Sequence, residues 1–223
     1  MTVCALIAAF NEEATIAAVV AGARRHVPDV FVIDDGSSDR TAERAAAAGA
    51  VVISHAENRG KGAAVRTGLA RVLAGAWTHV LLLDGDLQHD PEDIPKLLAA
   101  GERSGCDLVI AERAFAKGEM PTARFYSNAI GSWILSRFVG TEMRDSQCGF
   151  RLVRTSCLRP LTLTATKYEL ETEMLIELIG RGASMCRVGV PARYNGSTSK
   201  LRSVRDTCRT CLKAVWYRYL GRS

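Results

Sequence analysis

The 223-residue chain has no long apolar run; nothing in it approaches the roughly 20 apolar residues a helix needs to cross a bilayer. The strand-like segment Val3-Cys4-Ala5-Leu6-Ile7-Ala8 has no basic stretch ahead of it, so no signal peptide is expected. No disulfide framework is evident: the seven cysteines (4, 106, 148, 157, 186, 208 and 211) are odd in number and scattered. They read as reduced, mostly buried thiols of a cytoplasmic protein. Cys208-x-x-Cys211 lacks a second pair or a suitably spaced histidine, which argues against zinc and for two positions on one helix. No G-x-G-x-x-G follows the first strand, which speaks against a dinucleotide fold of the usual kind. Gly60-Lys61-Gly62 lacks the upstream glycine and the following Ser or Thr of a P-loop. Internal repeats, low-complexity tracts and a clear linker are also missing.

What is present fits one large domain. The chain is 48% hydrophobic and 24% charged, enough to bury a substantial core. Strand-like runs at 3–8, 30–33, 51–54, 79–83 and 107–111 alternate with helix-like segments at 13–25, 41–48, 61–73 and 91–100. Gly49 closes the second of those helices. Continuous apolar strands alternating with helices predict an α/β fold: a Rossmann-like, mainly parallel sheet with helices on both faces. Further on, helices are expected at 125–138, 170–179 and 201–220, a polar turn at 145–151, and a strand at 185–190.

In such sheets ligands bind beyond the carboxyl ends of the strands. That rule gathers Asn11-Glu12, Asp34-Asp35-Gly36-Ser37 and Asp84-Gly85-Asp86 along one rim. Leu81-Leu82-Leu83 runs directly into Asp84 and Asp86, separated by a glycine that lets a ligand approach the backbone. Asp90 is expected to cap the helix that Pro91 opens. Capping does not account for two more acids straight after three leucines, where unpaired charge is costly. Oxygen ligands in this pattern select Mg²⁺ or Mn²⁺, which bind through one or two carboxylates plus substrate phosphates.

Taken in order, Ile7-Ala8-Ala9-Phe10-Asn11-Glu12, Val32-Ile33-Asp34-Asp35-Gly36-Ser37-Ser38-Asp39, Asn58-Arg59-Gly60-Lys61-Gly62, Asp84-Gly85-Asp86-Leu87-Gln88-His89 and Gln147-Cys148-Gly149-Phe150-Arg151 resemble the family 2 glycosyltransferases of GT-A fold. Within them the chain is similar to the polyprenyl- (dolichyl-) phosphate mannosyltransferase-like group, from Leu6 to about Arg209. The resemblance implies that Ala8, Phe10 and Glu12 line a nucleotide pocket, with Asp35 holding the base or ribose. Asp35 would alternatively cap the helix near Thr41. The resemblance further places Lys61 near the diphosphate and makes Asp84, Asp86 and Gln88 the metal-site residues. It puts Arg113, and less directly Arg124, near the sugar or acceptor phosphate. Lys61 opens a helix, where the dipole disfavours a cation, and an anionic ligand there would remove that conflict.

The reaction the resemblance implies is a single displacement with inversion at the anomeric carbon of a nucleotide diphosphate-sugar, GDP-mannose being favoured and UDP-sugars remaining open. A divalent cation would neutralise charge on the departing diphosphate, and Asp86, Arg113, Arg124 and Glu171 are the candidate catalytic residues. A lipid phosphate acceptor is already ionised and attacks unaided, whereas a hydroxyl needs a carboxylate base. Tyr168-Glu169-Leu170-Glu171-Thr172-Glu173 matches the acidic segment that holds such a base in hydroxyl-acceptor relatives, and it also occurs in phosphate-acceptor ones. Glu169 and Glu173 share a helix face and Glu171 points elsewhere. The same acids would suit any helix N-terminus. His89 reads equally as a site residue or a packed histidine.

The net charge is +5, and the surplus gathers at the end of the chain. Lys200, Arg202, Arg205, Arg209, Lys213, Arg218 and Arg222 face a single acid, Asp206. Apolar Leu201, Val204, Cys208, Leu212, Val215 and Tyr219 recur at three- and four-residue steps, so 201–223 reads as a basic amphipathic helix appended to a catalytic domain at 1–200. Such a helix suits an anionic membrane surface, with Trp216, Tyr217 and Tyr219 in the interfacial zone. A peripheral position on the inner face of the cell membrane is therefore expected, beside a nucleotide-sugar donor and a lipid-phosphate acceptor. Nucleic acid is not an expected partner, because paired acids at the ligand rim repel phosphates in the absence of a metal. A nucleotidyltransferase is disfavoured by the missing G-G-x-G-T-R-type segment. Deleting residues after Lys200 is expected to lower binding to anionic vesicles in a flotation assay, and unchanged binding would refute the interfacial helix.

Overall fold

Alternate residues of the apolar runs point to opposite faces of one sheet, and helices cover both faces. The computed structural model describes residues 1–114, 130–133, 135–137, 140, 142, 143, 145 and 148–191. In chain order the elements are β1 (Val3–Ala9), α1 (Ile16–Arg24), β2 (Asp29–Asp34), α2 (Thr41–Ala47), β3 (Val51–Ser54), α3 (Lys61–Leu73) and β4 (His79–Asp84). A 3₁₀ turn (Pro91–Asp93) then runs into α4 (Ile94–Ser104), followed by β5 (Leu108–Ala114), β6 (Arg151–Arg154), α5 (Thr155–Leu158), α6 (Glu169–Gly180) and β7 (Met185–Pro191). Residues 130–133 and 135–137 are also helical.

The seven strands lie in the order β3-β2-β1-β4-β6-β5-β7. All pairings are parallel except those of β6, which runs antiparallel to both β4 and β5. In β1, Cys4 and Leu6 join Ala64, Leu69 and Val72 of α3 and Met174 and Leu178 of α6. Ala5 and Ile7 point the other way, to Ile16, Val19 and Val20 of α1 and Ile94 and Leu97 of α4. This two-residue alternation is why both faces of the central strands are apolar. Ala8 is level with Ile33 on one side and Asp84 on the other, so β1, β2 and β4 end together. The rim expected from the sequence is therefore present.

The helix ends follow local chemistry. Asp90 Oδ1 accepts from Glu92 N at 3.1 Å, the expected cap. Asp39 holds the start of α2, its Oδ1 accepting the Thr41 amide at 3.0 Å. Gly49 and Gly105 close α2 and α4 with φ of 93° and 65°, where a side chain would be strained. β6 departs from the sequence reading: this four-residue strand begins at Arg151, the last residue of what reads as a polar turn, and no strand is expected there. The expectation of reduced thiols is corrected at one pair. Cys106 and Cys186 form a disulfide, with Cα atoms 6.0 Å apart where the starts of β5 and β7 run side by side. A sequence separation of 80 lies between the two, so no local pattern announces them. Cys4, Cys148 and Cys157 are free. No helix among the described residues is long and apolar enough to cross a membrane. The expected C-terminal helix at 201–223, with Cys208 and Cys211, lies outside the described residues, as does much of the segment at 125–138.

Candidate active site

Asp84 closes β4 at the rim, Lys61 opens α3, and Glu171 lies in the first turn of α6. Three elements thus deliver one ammonium and two carboxylates to one point. Lys61 Nζ is 2.7 Å from Asp84 Oδ1, 3.0 Å from Asp84 Oδ2 and 2.6 Å from Glu171 Oε1. Burial works against the ammonium, but the charges of Asp84 and Glu171 outweigh it and drive the Lys61 pKa up. Burial likewise opposes ionised Asp84, and Lys61 overrides it to hold that carboxyl below the usual range. The conflict between a lysine and a helix start is resolved by these two acids of the chain itself.

Glycines make the convergence possible. A Cβ at Gly149 would stand 2.9 Å from Asp84 Oδ2 and 3.1 Å from Glu171 Oε1, so a side chain there would push both carboxylates aside. This gives the Gln147-Cys148-Gly149 motif a purpose that its sequence does not reveal. Arg151 is fully buried; its Nε donates to the Cys148 carbonyl and its Nη1 to the Glu171 carbonyl, both at 2.8 Å. One guanidinium therefore ties the turn ahead of β6 to α6.

Asp35 is buried and turned inward. Its carboxylate accepts from His55 Nδ1 at 2.7 Å, Arg59 N at 3.0 Å and Gly60 N at 2.7 Å. The imidazole reaches on to Thr67 Oγ1 of α3 at 3.0 Å. Asp35 thus anchors the turn that launches Lys61, and Asp39 rather than Asp35 caps α2. His55 has no motif around it, so nothing in the sequence singles it out.

Asp86 is part-buried, and its Oδ1 accepts the Gln88 amide at 3.0 Å. Burial first, and then the charge of Asp84, push the Asp86 carboxyl up to about 6, with Glu12 adding to the repulsion. Glu12 is placed by its own amide, which donates to Thr41 Oγ1 at 2.8 Å. Thr15 Oγ1 bridges this loop to Gly85 O at 2.7 Å. Ala8 and Phe10 are part-buried at the end of β1 beside Asp84. His89 is buried beside Phe150, with ring centroids 5.4 Å apart, and burial pushes its pKa down to about 4.

Arg113 leaves the end of β5 and forms a bidentate pair with Asp145, Nε to Oδ2 at 2.6 Å and Nη2 to Oδ1 at 2.9 Å. Asp145 fixes the arginine in place, a role hidden in sequence by a separation of 32 residues. Arg124 lies outside the described residues, as does Gln147.

Among the described residues no three His, Cys, Asp or Glu side chains form a ready-made metal cage. The donor set nonetheless fits a hard divalent cation. Asp84 and Asp86 offer carboxylate oxygens, Gln88 follows, and crowding of the acids at Glu12, Asp84 and Asp86 leaves negative charge for a cation to relieve.

A family model described as glycosyl transferase family 2 matches residues 4–161, and the chain belongs to this family. It is a glycosyltransferase. The undecaprenyl-phosphate mannosyltransferase of Micrococcus luteus is 30% identical over 203 residues, covering 85% of this chain and 83% of that protein. The UDP-N-acetylglucosamine–dolichyl-phosphate N-acetylglucosaminyltransferase of Methanococcus voltae is 30% identical over 194 residues, 77% of each chain. Glucosyl-3-phosphoglycerate synthase from Mycobacterium tuberculosis, solved with Mn²⁺ and UDP-glucose, superposes with a TM-score of 0.77 at 25% identity, covering 97% of this chain and 78% of that one. The fold is the GT-A fold expected from the sequence.

The clearance at Gly149 and the crowding at Asp86 can each be tested. Gly149→Ala is expected to cut sugar transfer by about 10²-fold through displaced carboxylates, with secondary structure unchanged by circular dichroism; unaltered turnover would refute the packing argument. For Asp86, the folded carboxyl holds its proton to about pH 6, against 3.8 for the free group. Its ionisation therefore costs stability, a cost absent below about pH 4 and complete above about pH 6, on the order of 1–3 kcal/mol. Asp86→Asn is expected to melt a few degrees above the parent at about pH 7.5 in chelator and level with it at about pH 4.

Proposed function

We propose that this protein is an inverting, metal-dependent glycosyltransferase that moves a sugar from a nucleotide diphosphate-sugar to a polyprenyl-phosphate-type lipid acceptor. The observation that carries the reading is the pairing of Lys61 with Asp84 and Glu171 at the rim, beside Asp86. Asp84, Asp86 and Gln88 would hold Mg²⁺ or Mn²⁺. Such a cation would neutralise charge developing on the diphosphate leaving group. Ala8, Phe10 and Glu12 would border the nucleotide, while Asp35 holds the Lys61 turn in position for it. Lys61 and Arg113 would add positive charge where the diphosphate and the acceptor phosphate meet, and Arg124 would add a third.

The acidic segment supports a phosphate acceptor over a hydroxyl. Glu171 is engaged by Lys61. Glu173 accepts from Thr164 N, Thr164 Oγ1 and Ala165 N, which makes it a structural anchor of the loop before α6. Both carboxylates are committed to binding partners, and an acceptor that arrives ionised needs no base. The two relatives named for undecaprenyl and dolichyl phosphate point the same way.

For the donor, the family resemblance favours GDP-mannose, and the relative named a mannosyltransferase agrees with it in the sugar. A UDP-sugar is the second reading, favoured by the N-acetylglucosaminyl relative and by the UDP-glucose complex of the structural neighbour. Melting temperatures with GDP-mannose, UDP-glucose, UDP-N-acetylglucosamine, GDP and UDP, each with Mn²⁺ or chelator, separate the two, since a ligand of the folded state raises the melting point. Asp86→Ala is expected to lower transfer to a polyprenyl phosphate in detergent by at least about 10²-fold, several kcal/mol of barrier. Full turnover in that variant or in excess chelator would overturn the metal mechanism.

A further inference from the structure

Lys61 stands where a cation is wanted. Its ammonium straddles both oxygens of Asp84, the first of the acids assigned to the divalent ion, while a second contact ties it to Glu171. The lysine backbone has no freedom to retreat. A Cβ at Gly60 would lie 2.5 Å from the Thr166 carbonyl oxygen, and one at Gly62 2.6 Å from that of Lys167, so the start of α3 is pressed onto the loop before α6. Ala63 N donates to Thr166 O at 3.0 Å, and Asp35 holds the turn from the other side. Only the side chain can move, pivoting on a fixed Cα and tethered at its tip by Glu171. Gly149, with no side chain, leaves space for both carboxylates to face the ammonium.

We propose that Lys61 is a resident counter-ion of the metal site: it occupies Asp84 in the unloaded enzyme and gives it up only when a diphosphate offers the ammonium another anion. Glu171 retains the lysine throughout and keeps it within reach of both partners. The inference rests on the metal-dependent reading above and adds an order to it. Lys61 makes the empty site a poor cation binder, and it makes divalent ion and nucleotide diphosphate bind as a pair. Linkage requires the coupling to be reciprocal, each ligand strengthening the other by the same factor. No covalent step is involved, and the acids at Asp84 and Glu171 are never left without a positive partner.

The test is Mn²⁺ binding by calorimetry to wild type, Lys61→Met, Lys61→Gln and Lys61→Arg, alone and with saturating UDP or GDP. Wild type is expected to bind Mn²⁺ at least about tenfold more tightly with the preferred nucleotide than without. Lys61→Met is expected to bind Mn²⁺ alone at least about tenfold more tightly than wild type, while its affinity for the nucleotide diphosphate falls. Lys61→Gln, which keeps a hydrogen-bond donor without charge, should match Lys61→Met and serves if the methionine variant does not fold. Lys61→Arg should retain the wild-type requirement for nucleotide. A merely structural lysine would weaken both ligands together in the neutral variants. Mn²⁺ affinity unchanged or lower in both neutral variants overturns the proposal and leaves the metal mechanism standing. No Mn²⁺ binding to wild type with any nucleotide, together with full sugar transfer in chelator, overturns both.

Discussion

One ammonium between two carboxylates organises the working edge of this molecule. Lys61, Asp84 and Glu171 come from α3, β4 and α6, elements distant in sequence, and each neighbouring feature serves their meeting. Gly149 supplies clearance, Arg151 ties the two approaching segments, and Asp35 with His55 fixes the turn from which Lys61 projects. Buried ion pairs are weak contributors to net stability because desolvation offsets attraction. Their value here is positional: a single cation holds both acids at one point of the rim.

The charge balance also separates the two aspartates of the motif. Asp84, matched by Lys61, is readily ionised; Asp86, facing Asp84 and Glu12, resists ionisation. Two like residues one glycine apart thus play different parts because their environments differ. Around them the polar loops interlock: Asn11 Oδ1 accepts from Ser38 N, and Asn11 N donates to Ser37 Oγ, both at 2.9 Å. The loops after β1 and β2 are thus braced against each other.

Much of this is legible from residue order. Apolar runs ending in polar, glycine-bearing turns locate the parallel strands and the rim, because burial on both faces leaves a strand few other compositions. Asp84, Asp86 and Lys61 stand out for being charged where charge is costly. What escapes a sequence reading depends on pairing between remote segments. β6 is short and begins with Arg151, a charged residue satisfied by carbonyls that only tertiary structure brings near. Asp145 and Arg113, or Cys106 and Cys186, are partners that no periodicity announces. Asp35 carries a family role by resemblance, yet its hydrogen bonds to the turn at 59–60 are visible only in three dimensions.

The reversed direction of β6 has a consequence for how the rim is put together. Because β6, alone among the described strands, runs against its neighbours, the chain leaves β5 and re-enters at β6 on the same rim. The stretch between them is bounded by Arg113 at its exit and Gly149 at its return. β4, α3 and α6, which carry the two acids and the ammonium, all lie outside that stretch of sequence. That stretch and the elements that carry the ion-paired cluster are thus separate parts of the sequence that meet one rim, joined through the reversed polarity of a single four-residue strand.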